Sequence, residues 1–539
     1  MANRDPDQGG PGQPASRGHV AIVGGGPVGL GLAIELGLRG VACTVLERSQ
    51  DLHHIPKGQN LTQRSGEHFR SWGVSDAVRA ASPIPPSFGN AGVVCYGTLL
   101  GAHSHDWFQR SKVGAYYFAE NERLPQYALE RVLRDRVASL PGVRLITGAM
   151  VTAVTQDAGG VGVQFTGPDG TDRTLAADHA VGCDGARSLT RDAAGIASDT
   201  DHDGPRMALL VFRSAELHRL LERFPGKSIF NVMNPDMDGY WQFLGRVDLD
   251  GGWFFHSPVP AGTTRDNFDF SAFLHRVAGA EFALELDHVG FWDLRITQAK
   301  SYRRGRIFIA GDACHSHPPY GGYGVNTGLE DARNLGWKLA AHMHGWAGPG
   351  LLDSYGAERH PVFQSVNRDF IARMIADFRD FTARYAPDRD AGAFRAAWAR
   401  RASGGNADVT GFLPHYAGSP IVTGSGPGAH PGARGVHGFA ARPGQHLAPQ
   451  SLSRGALWSA LGPGFTLMDL TGDRDRMAAF GAAAVARSIP LTVLDLAAEA
   501  LDGAYDCPAL LVRPDQFVAW VAGDEPADAG AIFDRAIGA

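Results

Sequence analysis

Residues 20–29 constrain the fold more than any other segment of the chain. Residues 20–23 are apolar, as in a buried strand, and the sequence G-G-G-P-V-G follows before apolar residues at helical spacing. A second apolar run, residues 41–46, ends at Glu47, eighteen residues after Gly29. A strand, G-x-G-x-x-G, a helix, a strand and an acid in this order predict a Rossmann-like unit that binds a dinucleotide.

Each element of this fingerprint has a physical task. Gly24 permits the tight turn, Gly26 lets a pyrophosphate approach the backbone, and Gly29 permits close packing of helix and strand. The free N–H groups at the helix start bind phosphate, and Glu47 is expected to accept hydrogen bonds from the adenosine ribose. The fingerprint alone does not separate FAD from NAD. The predicted cofactor contacts here are Gly24, Gly26, Val28, Gly29, Glu47 and Arg48.

A second segment begins near residue 306. Residues 306–310 have the pattern of a buried strand, which delivers Asp312 to its carboxyl end, where it could bind ribityl hydroxyls. A loop rich in Pro and Gly follows, and a new helix is predicted to begin near residues 324–326. Backbone N–H groups at that helix start could stabilise negative charge on a reduced flavin ring.

These residues carry a family resemblance. The stretch G-D-A-x-H-x-x-P-P-x-G-G-x-G-x-N-x-G-x-x-D-A-x-N-L-x-W-K-L from Gly311 resembles the GD motif of the single-component FAD-dependent aromatic hydroxylases, the group A flavoprotein monooxygenases. C-D-G-A-R-S-L-T-R from Cys183 resembles their DG motif, which serves both FAD and NAD(P)H. Gln126 stands where the family has a flavin-contacting glutamine. The resemblance implies further FAD contacts at Gln126, Asp184, Asp312, Pro319, Gly324, Val325 and Asn326.

The resemblance also implies an activity. NADH or NADPH would reduce the FAD, dioxygen would add at the flavin C4a carbon, and the hydroperoxide would pass one oxygen to a phenolic or polycyclic aromatic ring. Such a site must be apolar and closed to water. A base or hydrogen-bond acceptor near the phenol hydroxyl would assist by taking its proton.

The substrate pocket is expected among strand-like segments in residues 205–295. In the family such strands form a sheet in front of the flavin, and period-two alternation turns about half of their side chains away from it. His256 is the predicted base, because it is the imidazole in this strand set. The candidate substrate contacts are Tyr240, Gln242, Phe254 and, beside the flavin loop, Tyr320.

The expected fold class is α/β, with three units after a disordered tail at residues 1–18. A Rossmann-like FAD-binding domain of the 4-hydroxybenzoate hydroxylase type is interleaved with a β-sheet substrate domain. The C-terminal unit resembles a thioredoxin-like domain but lacks CxxC, so a structural or homodimer-forming role is expected. The predicted ranges are 19–90, 122–200 and 296–400 for FAD, 91–121 and 201–295 for substrate, 401–440 for a linker or long loop, and 441–539 for the C-terminal domain.

Composition excludes several other classes. The chain has 539 residues, with 50 Lys and Arg against 56 Asp and Glu, so its charge of -6 offers no footprint for nucleic acid or an anionic membrane. Five cysteines without CxxC favour a reducing cytoplasm, and no apolar run is long enough to span a bilayer. The pairs His103/His105 and His315/His317 complete no metal-ligand spacing, so no metal is predicted.

Alternatives remain open at the level of sequence. Baeyer–Villiger oxygen insertion or epoxidation on the same fold is not separable from hydroxylation. A halogenase is a weaker rival, because residues 252–258 only partly echo its GWxWxIP stretch. A reductase or dehydrogenase is another. A non-catalytic FAD-binding sensor or scaffold belongs to a different class and would not consume NAD(P)H rapidly.

Overall fold

The computed structural model describes residues 18–89, 91–201, 204–404, 407–453, 455–523 and 526–539. The predicted disordered tail therefore lies, except for Gly18, outside the described residues. The α-helices are α1 Pro27–Leu38, α2 Gln63–Trp72, α3 Ser75–Ala80, α4 Gln126–Ala138, α5 Leu189–Ala193, α6 Ala215–Leu220, α7 Phe270–Ala278, α8 Tyr323–Met343, α9 Ser354–Ser365, α10 Arg373–Arg384, α11 Ala391–Gly404, α12 Ala407–Thr410, α13 Arg474–Ala486, α14 Asp502–Tyr505 and α15 Ala529–Ala536.

A six-stranded sheet forms the centre of the first unit. Its four inner strands are buried on both faces, as the apolar runs predict for parallel strands covered by helices, and α1 packs against α8. Only the edge strand Arg303–Arg304 is antiparallel to its neighbour. The order is Arg303–Arg304, Ile307–Ile309, His179–Gly182, His19–Val23, Ala42–Glu47 and Val143–Thr147.

Three small sheets surround this centre. One contains Met150–Gln156, Val161–Thr166 and Asp172–Ala177, and a second contains Ser198–Asp201, Ile296–Ala299 and His315–Ser316. A third pairs Asn60–Leu61 with Glu122–Arg123 and so fixes the loop before α2 against the chain that enters α4.

A seven-stranded sheet forms the second unit, and all of its strands lie within the segments predicted for the substrate domain. Side chains alternate between its faces: Trp253 and Phe255 pack with residues of α6 and α7, whereas Phe254 and Phe243 face the first unit's loops. The order is Glu285–Asp293, Arg206–Arg213, Gly252–Pro258, Gln242–Arg246, Ile229–Met233, Gly92–Tyr96 and Ser104–Trp107.

The C-terminal unit has a four-stranded sheet packed with α13 and α15. Its order is Leu491–Asp495, Phe465–Asp469, Ala509–Val512 and Val518–Val521, preceded by the hairpin Ser451–Leu452 and Gly455–Ala456.

Residues 401–440, predicted as a linker or long loop, include an ordered, packed segment. Phe412–His415 pairs with Gly432–Arg434, and the buried Tyr416 contacts Phe517 of the C-terminal unit. In the described part of the chain, no helix is both long and apolar enough to cross a membrane.

Candidate active site

The three glycines of the fingerprint have different surroundings. Gly24 has a φ of +106°, and a Cβ there would lie 2.3 Å from the Cys183 carbonyl oxygen. A Cβ at Gly29 would lie 2.0 Å from the Gly24 carbonyl oxygen, whereas one at Gly26 would meet no protein atom within 4 Å. Packing therefore requires Gly24 and Gly29. Gly26 instead leaves free space before the first turn of α1, which fits a pyrophosphate at a helix N-terminus.

Glu47 is held by this same turn. Its Oε2 accepts a hydrogen bond of 2.6 Å from the Gly25 N–H, and its Oε1 accepts one of 2.7 Å from the Ser49 N–H. Two backbone donors thus orient the carboxylate beside the glycine turn, while each oxygen keeps a lone pair for a ribose hydroxyl. The neighbouring Arg48 is exposed.

Asp312 follows strand Ile307–Ile309 of the six-stranded sheet, as predicted. No hydrogen bond from the described residues reaches its carboxylate, which is open to solvent. Surrounding protein atoms desolvate the carboxyl and raise its pKa, while the charges of His315 and Lys57 oppose that rise. An acid without a protein partner beside the glycine turn fits a ligand that donates hydroxyl groups.

Val28 links the two fingerprints. A Cβ on Gly311 would lie 2.9 Å from a Val28 methyl group, and a Cβ on Gly328 of α8 would lie 2.6 Å from the same methyl group. These two glycines let α1, the Asp312 loop and α8 meet around one side chain.

Asn326 in the first turn of α8, a predicted cofactor contact, uses its side chain for hydrogen bonds within the protein. Its Oδ1 accepts hydrogen bonds from the Thr62 N–H at 2.8 Å and the Ser65 hydroxyl at 2.6 Å. Its Nδ2 donates to the carbonyl oxygens of Asn60 and Gly322 at 2.7 and 2.6 Å. These bonds use the full capacity of the amide, so the side chain fastens loop 60–65 to α8. For a ligand it leaves the backbone N–H.

The residues around this helix start frame a shallow site. Gly322, with a φ of +67°, immediately precedes α8, and Pro319 lies just before the tight turn Tyr320–Gly322. Gly324 and Val325 are half-buried, and a Cβ on Gly58 would lie 3.2 Å from Val325. The N–H groups of this first helical turn, which lack partners within the helix, are therefore placed to meet an anionic group.

Two further predicted cofactor contacts, Gln126 and Asp184, have different hydrogen-bond partners. Gln126 begins α4, donates to Glu130 Oε1 at 2.7 Å, and faces Gly58 of the same loop. Asp184 instead accepts hydrogen bonds from the Thr190 N–H and hydroxyl at 2.9 and 3.0 Å, near the start of α5. Its carboxylate organises the turn that carries the DG motif.

The sheet brings together some of the predicted substrate residues but not all of them. Phe254 and His256 share the face that looks toward the first unit, and their ring centres are 5.7 Å apart. Tyr320 is on the same side, with its ring 4.3 Å from that of Trp241. Gln242 lies on the opposite face, because successive residues of a strand alternate and Phe243 faces the first unit. Its Nε2 donates to the Ser257 hydroxyl at 3.3 Å.

His256 and Tyr240 are both half-buried. Desolvation lowers the pKa of His256 to about 4, and its Nδ1 has no hydrogen-bond partner among the described residues. The imidazole is therefore neutral at pH 7, in the form that can accept a proton. Tyr240 is half-buried just before its strand, and desolvation raises its pKa.

Arg123, which no sequence motif indicated, joins Asn60 to the seven-stranded sheet. Its guanidinium donates to Asn60 Oδ1 and, at 2.6 Å, to the Arg246 carbonyl oxygen, and lies 5.9 Å from the Phe254 ring centre. Burial lowers its pKa to about 9, and no ion pair among the described residues includes it. The only sequence signal was its position beside Leu124-Pro125-Gln126, which did not indicate this contact.

The histidine pairs hold no metal ligand set in the described residues. His315 lies 2.7 Å from an Asp331 oxygen, and His317 Nδ1 lies 2.6 Å from the Pro318 carbonyl oxygen. Both imidazoles therefore take part in the packing of the loop before α8.

Comparisons with known proteins agree with this geometry. A family model described as "FAD binding domain" matches residues 17–369, and one described as "Aromatic-ring hydroxylase, C-terminal" matches residues 442–539. A putative polyketide hydroxylase of Streptomyces halstedii is 33% identical over 67% of this chain and 66% of its own length. A 12-dehydrotetracycline 5-monooxygenase/anhydrotetracycline 6-monooxygenase of Streptomyces rimosus is 35% identical over 67% of this chain and 70% of its own length.

Solved structures resemble the whole chain. RebC, a rebeccamycin biosynthetic enzyme, with bound 7-carboxy-K252c, has a TM-score of 0.81 and 29% identity over 97% of this chain and 99% of its own. The flavin-dependent monooxygenase PieE, in complex with FAD and substrate, has a TM-score of 0.84 and 25% identity over 98% of this chain and 100% of its own.

Proposed function

The chain belongs to the FAD-dependent aromatic-ring monooxygenases, and from that premise we propose that it hydroxylates a polycyclic phenolic substrate at the expense of NADH or NADPH. The observation that supports the substrate class is the aromatic face of the seven-stranded sheet, which lies against the turn Tyr320–Gly322 before α8. Phe243, Phe254 and Trp241 lie there with Tyr320, and such a wall suits a flat, extended ring system. Relatives named for tetracycline precursors and rifampicin support the same class.

The residues described above fit FAD. The space at Gly26 would take the pyrophosphate, Asp312 the ribityl hydroxyls, and the first turn of α8 the electron-rich edge of the ring. When bound, FAD accepts two electrons from the nicotinamide and activates dioxygen. The sheet's apolar face would exclude water from the reacting ring.

His256 is the base that we propose for the substrate. Its neutral imidazole lies on the flavin-facing side of the sheet, between Phe254 and Trp292, where a phenol hydroxyl could donate to it. Removing the phenol proton raises the electron density of the ring and favours transfer of an electrophilic oxygen.

The test is aerobic oxidation of NADH and of NADPH by the purified FAD-loaded protein, with and without a panel of simple and polycyclic phenols. We expect polycyclic phenols to stimulate oxidation and to gain one oxygen atom by mass. Conversion of a ketone to an ester would show that the reaction is Baeyer–Villiger oxygen insertion and not hydroxylation. Conversion of an alkene to an epoxide would show epoxidation instead. FAD binding without oxidation of either nicotinamide would favour the sensor or scaffold.

Homodimer formation and a cytoplasmic location remain predictions that the proposed activity does not require. Sedimentation of the holoenzyme and fractionation of the producing cell would test them.

A further inference from the structure

Residues 513–516 form one of several buried contacts between the C-terminal unit and the rest of the chain. This turn connects strands Ala509–Val512 and Val518–Val521, and each of its four residues is buried. Gln516 has a φ of +64°, a left-handed conformation that is unfavourable for most residues with a side chain. Such a conformation persists only where its surroundings fix it.

One side of the turn binds helices α8 and α9. The Asp515 carboxylate accepts hydrogen bonds from Trp337 Nε1 at 3.0 Å and from Asn334 Nδ2 at 3.5 Å, both on α8. Arg333, also on α8, donates at 2.8 Å to the Pro514 carbonyl oxygen. These bonds fasten the third and fourth turns of α8 to the C-terminal unit.

The other side of the turn binds Arg64 at the start of α2. Arg64 Nη1 donates to Gln516 Oε1 at 2.8 Å, and Nη2 donates to the Asp515 carbonyl oxygen at 2.6 Å. The same guanidinium pairs with Glu330 of α8 at 2.8 Å and with Glu67 at 2.9 Å. Arg64 is therefore fixed by four partners, two of which belong to the C-terminal turn.

Arg64 belongs to a wall of the predicted flavin site. Thr62 and Ser65, on either side of it in sequence, both donate to Asn326 in the first turn of α8. Glu330, its ion-pair partner, lies one turn further along the same helix. A shift of Arg64 would move loop 60–65 against the helix start where the flavin ring is expected.

We propose that the turn 513–516 is a positioning element for the flavin, and that Gln516 acts through Arg64. In this arrangement the C-terminal unit sets the distance between loop 60–65 and the start of α8. It thereby sets FAD affinity and, if the proposed function holds, the fraction of NAD(P)H oxidation that yields oxygenated product. This role gives a reason for fusing the unit to the flavin domain without any thiol chemistry.

The experiment uses the full-length chain with Gln516→Asn. Asparagine tolerates a positive φ, so the substitution mainly shortens the side chain and removes its bond to Arg64. We expect FAD to bind about tenfold more weakly, since a hydrogen bond to a charged group is lost. The bound flavin should show a shifted visible absorption band, and the yield of product per NAD(P)H should fall.

The matched control is Asp528→Ala, which removes the side chain that caps α15 within the same unit but touches none of these partners. It should lower the melting temperature without changing FAD affinity or the flavin spectrum. Arg64→Lys and the double variant, which combines it with Gln516→Asn, complete a double-mutant cycle. If Gln516 acts through Arg64, the double variant should lose no more FAD affinity than the worse single variant.

The proposal is overturned if Gln516→Asn keeps wild-type FAD affinity and spectrum, or if Asp528→Ala lowers both as much. Additive losses in the double variant would also overturn the route through Arg64. FAD affinity and the flavin spectrum are measured without substrate, so they decide this proposal even if no phenol is oxygenated. Absence of oxygenation with an intact Gln516 effect would defeat the proposed function alone.

Discussion

Arg513 and Glu358 form a bidentate ion pair, with nitrogen–oxygen distances of 2.5 and 3.0 Å, across the boundary between the C-terminal unit and α9. Both side chains are fully buried. Lys338 of α8 donates to the same carboxylate at 2.7 Å, and the Ser419 hydroxyl donates to its other oxygen at 2.7 Å. Arg513 also pairs with the buried Asp515 at 2.6 Å, so Glu358 is the anion that Lys338 and Arg513 share.

Glu358→Ala should destabilise the protein by about 3–5 kcal/mol, because it removes the ion-pair partner of the buried Lys338 and leaves Arg513 with Asp515 alone. Urea denaturation of the FAD-loaded protein would measure the loss. Asp534→Ala, which breaks the exposed pair with Arg487, is the control and should change stability little. Equal losses in the two variants would contradict a central role for the buried pair.

The same pair predicts a response to acid. Burial alone would raise the pKa of Glu358, but Arg513 and Lys338 hold it below its ordinary value. The unfolded chain takes up this proton near pH 4.5, whereas the folded chain does so only at lower pH. The stabilisation is therefore complete above pH 4.5 and is lost as the pH falls below it. In Glu358→Ala this part of the pH dependence of unfolding should disappear.

Gly26 and Gly29 should respond differently to alanine. Gly26 has an extended backbone, at φ −75° and ψ −177°, and an added Cβ would meet only open space. Gly26→Ala should leave the apoprotein's stability unchanged but weaken FAD binding about tenfold or more, by filling the space of the pyrophosphate. Gly29→Ala should destabilise the apoprotein by about 1–3 kcal/mol through its clash with Gly24. Titration with FAD and thermal unfolding separate the two effects.

Asp312→Ala should abolish tight FAD binding without harming the fold. No protein donor among the described residues depends on this solvent-exposed carboxylate, so its removal should cost the apoprotein little stability. Equilibrium dialysis against FAD would measure the loss. Asp184→Ala is the comparison, since that carboxylate accepts bonds from Thr190 and its loss should lower the melting temperature.

Local patterns predicted the parts of the site that lie within one chain segment. The glycine turn, Asp312 and the start of α8 are each set by a strand, a loop and a helix that are contiguous in sequence. The sequence did not show which polar side chains already have all their hydrogen-bond partners within the protein. Asn326 lies where it was expected, but its amide is hydrogen-bonded to residues of loop 60–65. Which face a strand residue takes also required the fold, because Gln242 and Phe243 differ only by one step of alternation.

The contacts between units were beyond sequence reasoning. Arg513 and Glu358 are 155 positions apart, and neither has a spacing that marks a partner. This buried ion pair forms only when two separate units pack together, so the periodicity of neither segment indicates it. From sequence we predicted a structural or dimer-forming role for the C-terminal unit. Its turn 513–516 also hydrogen-bonds Arg64, which lies next to the residues that contact Asn326.

His256 gives the last prediction, a pH profile. Because burial lowers its pKa to about 4, the imidazole should stay neutral from pH 8 down to about pH 5, and kcat should show no inflection near 6.5 from this group. His256→Phe should lower kcat about 100-fold at an unchanged fold, the usual contribution of a general base.

The matched control is His288→Phe, at another imidazole of the sheet, which pairs with Val211 on a neighbouring strand and should leave kcat unchanged. Stability offers a second readout of His256. The unfolded chain takes up a proton below pH 6.5 but the folded chain only near 4, so folding weakens as the pH falls between these values. His256→Phe should flatten that slope. A flattened slope with wild-type kcat would assign His256 to sheet packing and leave another group to accept the phenol proton.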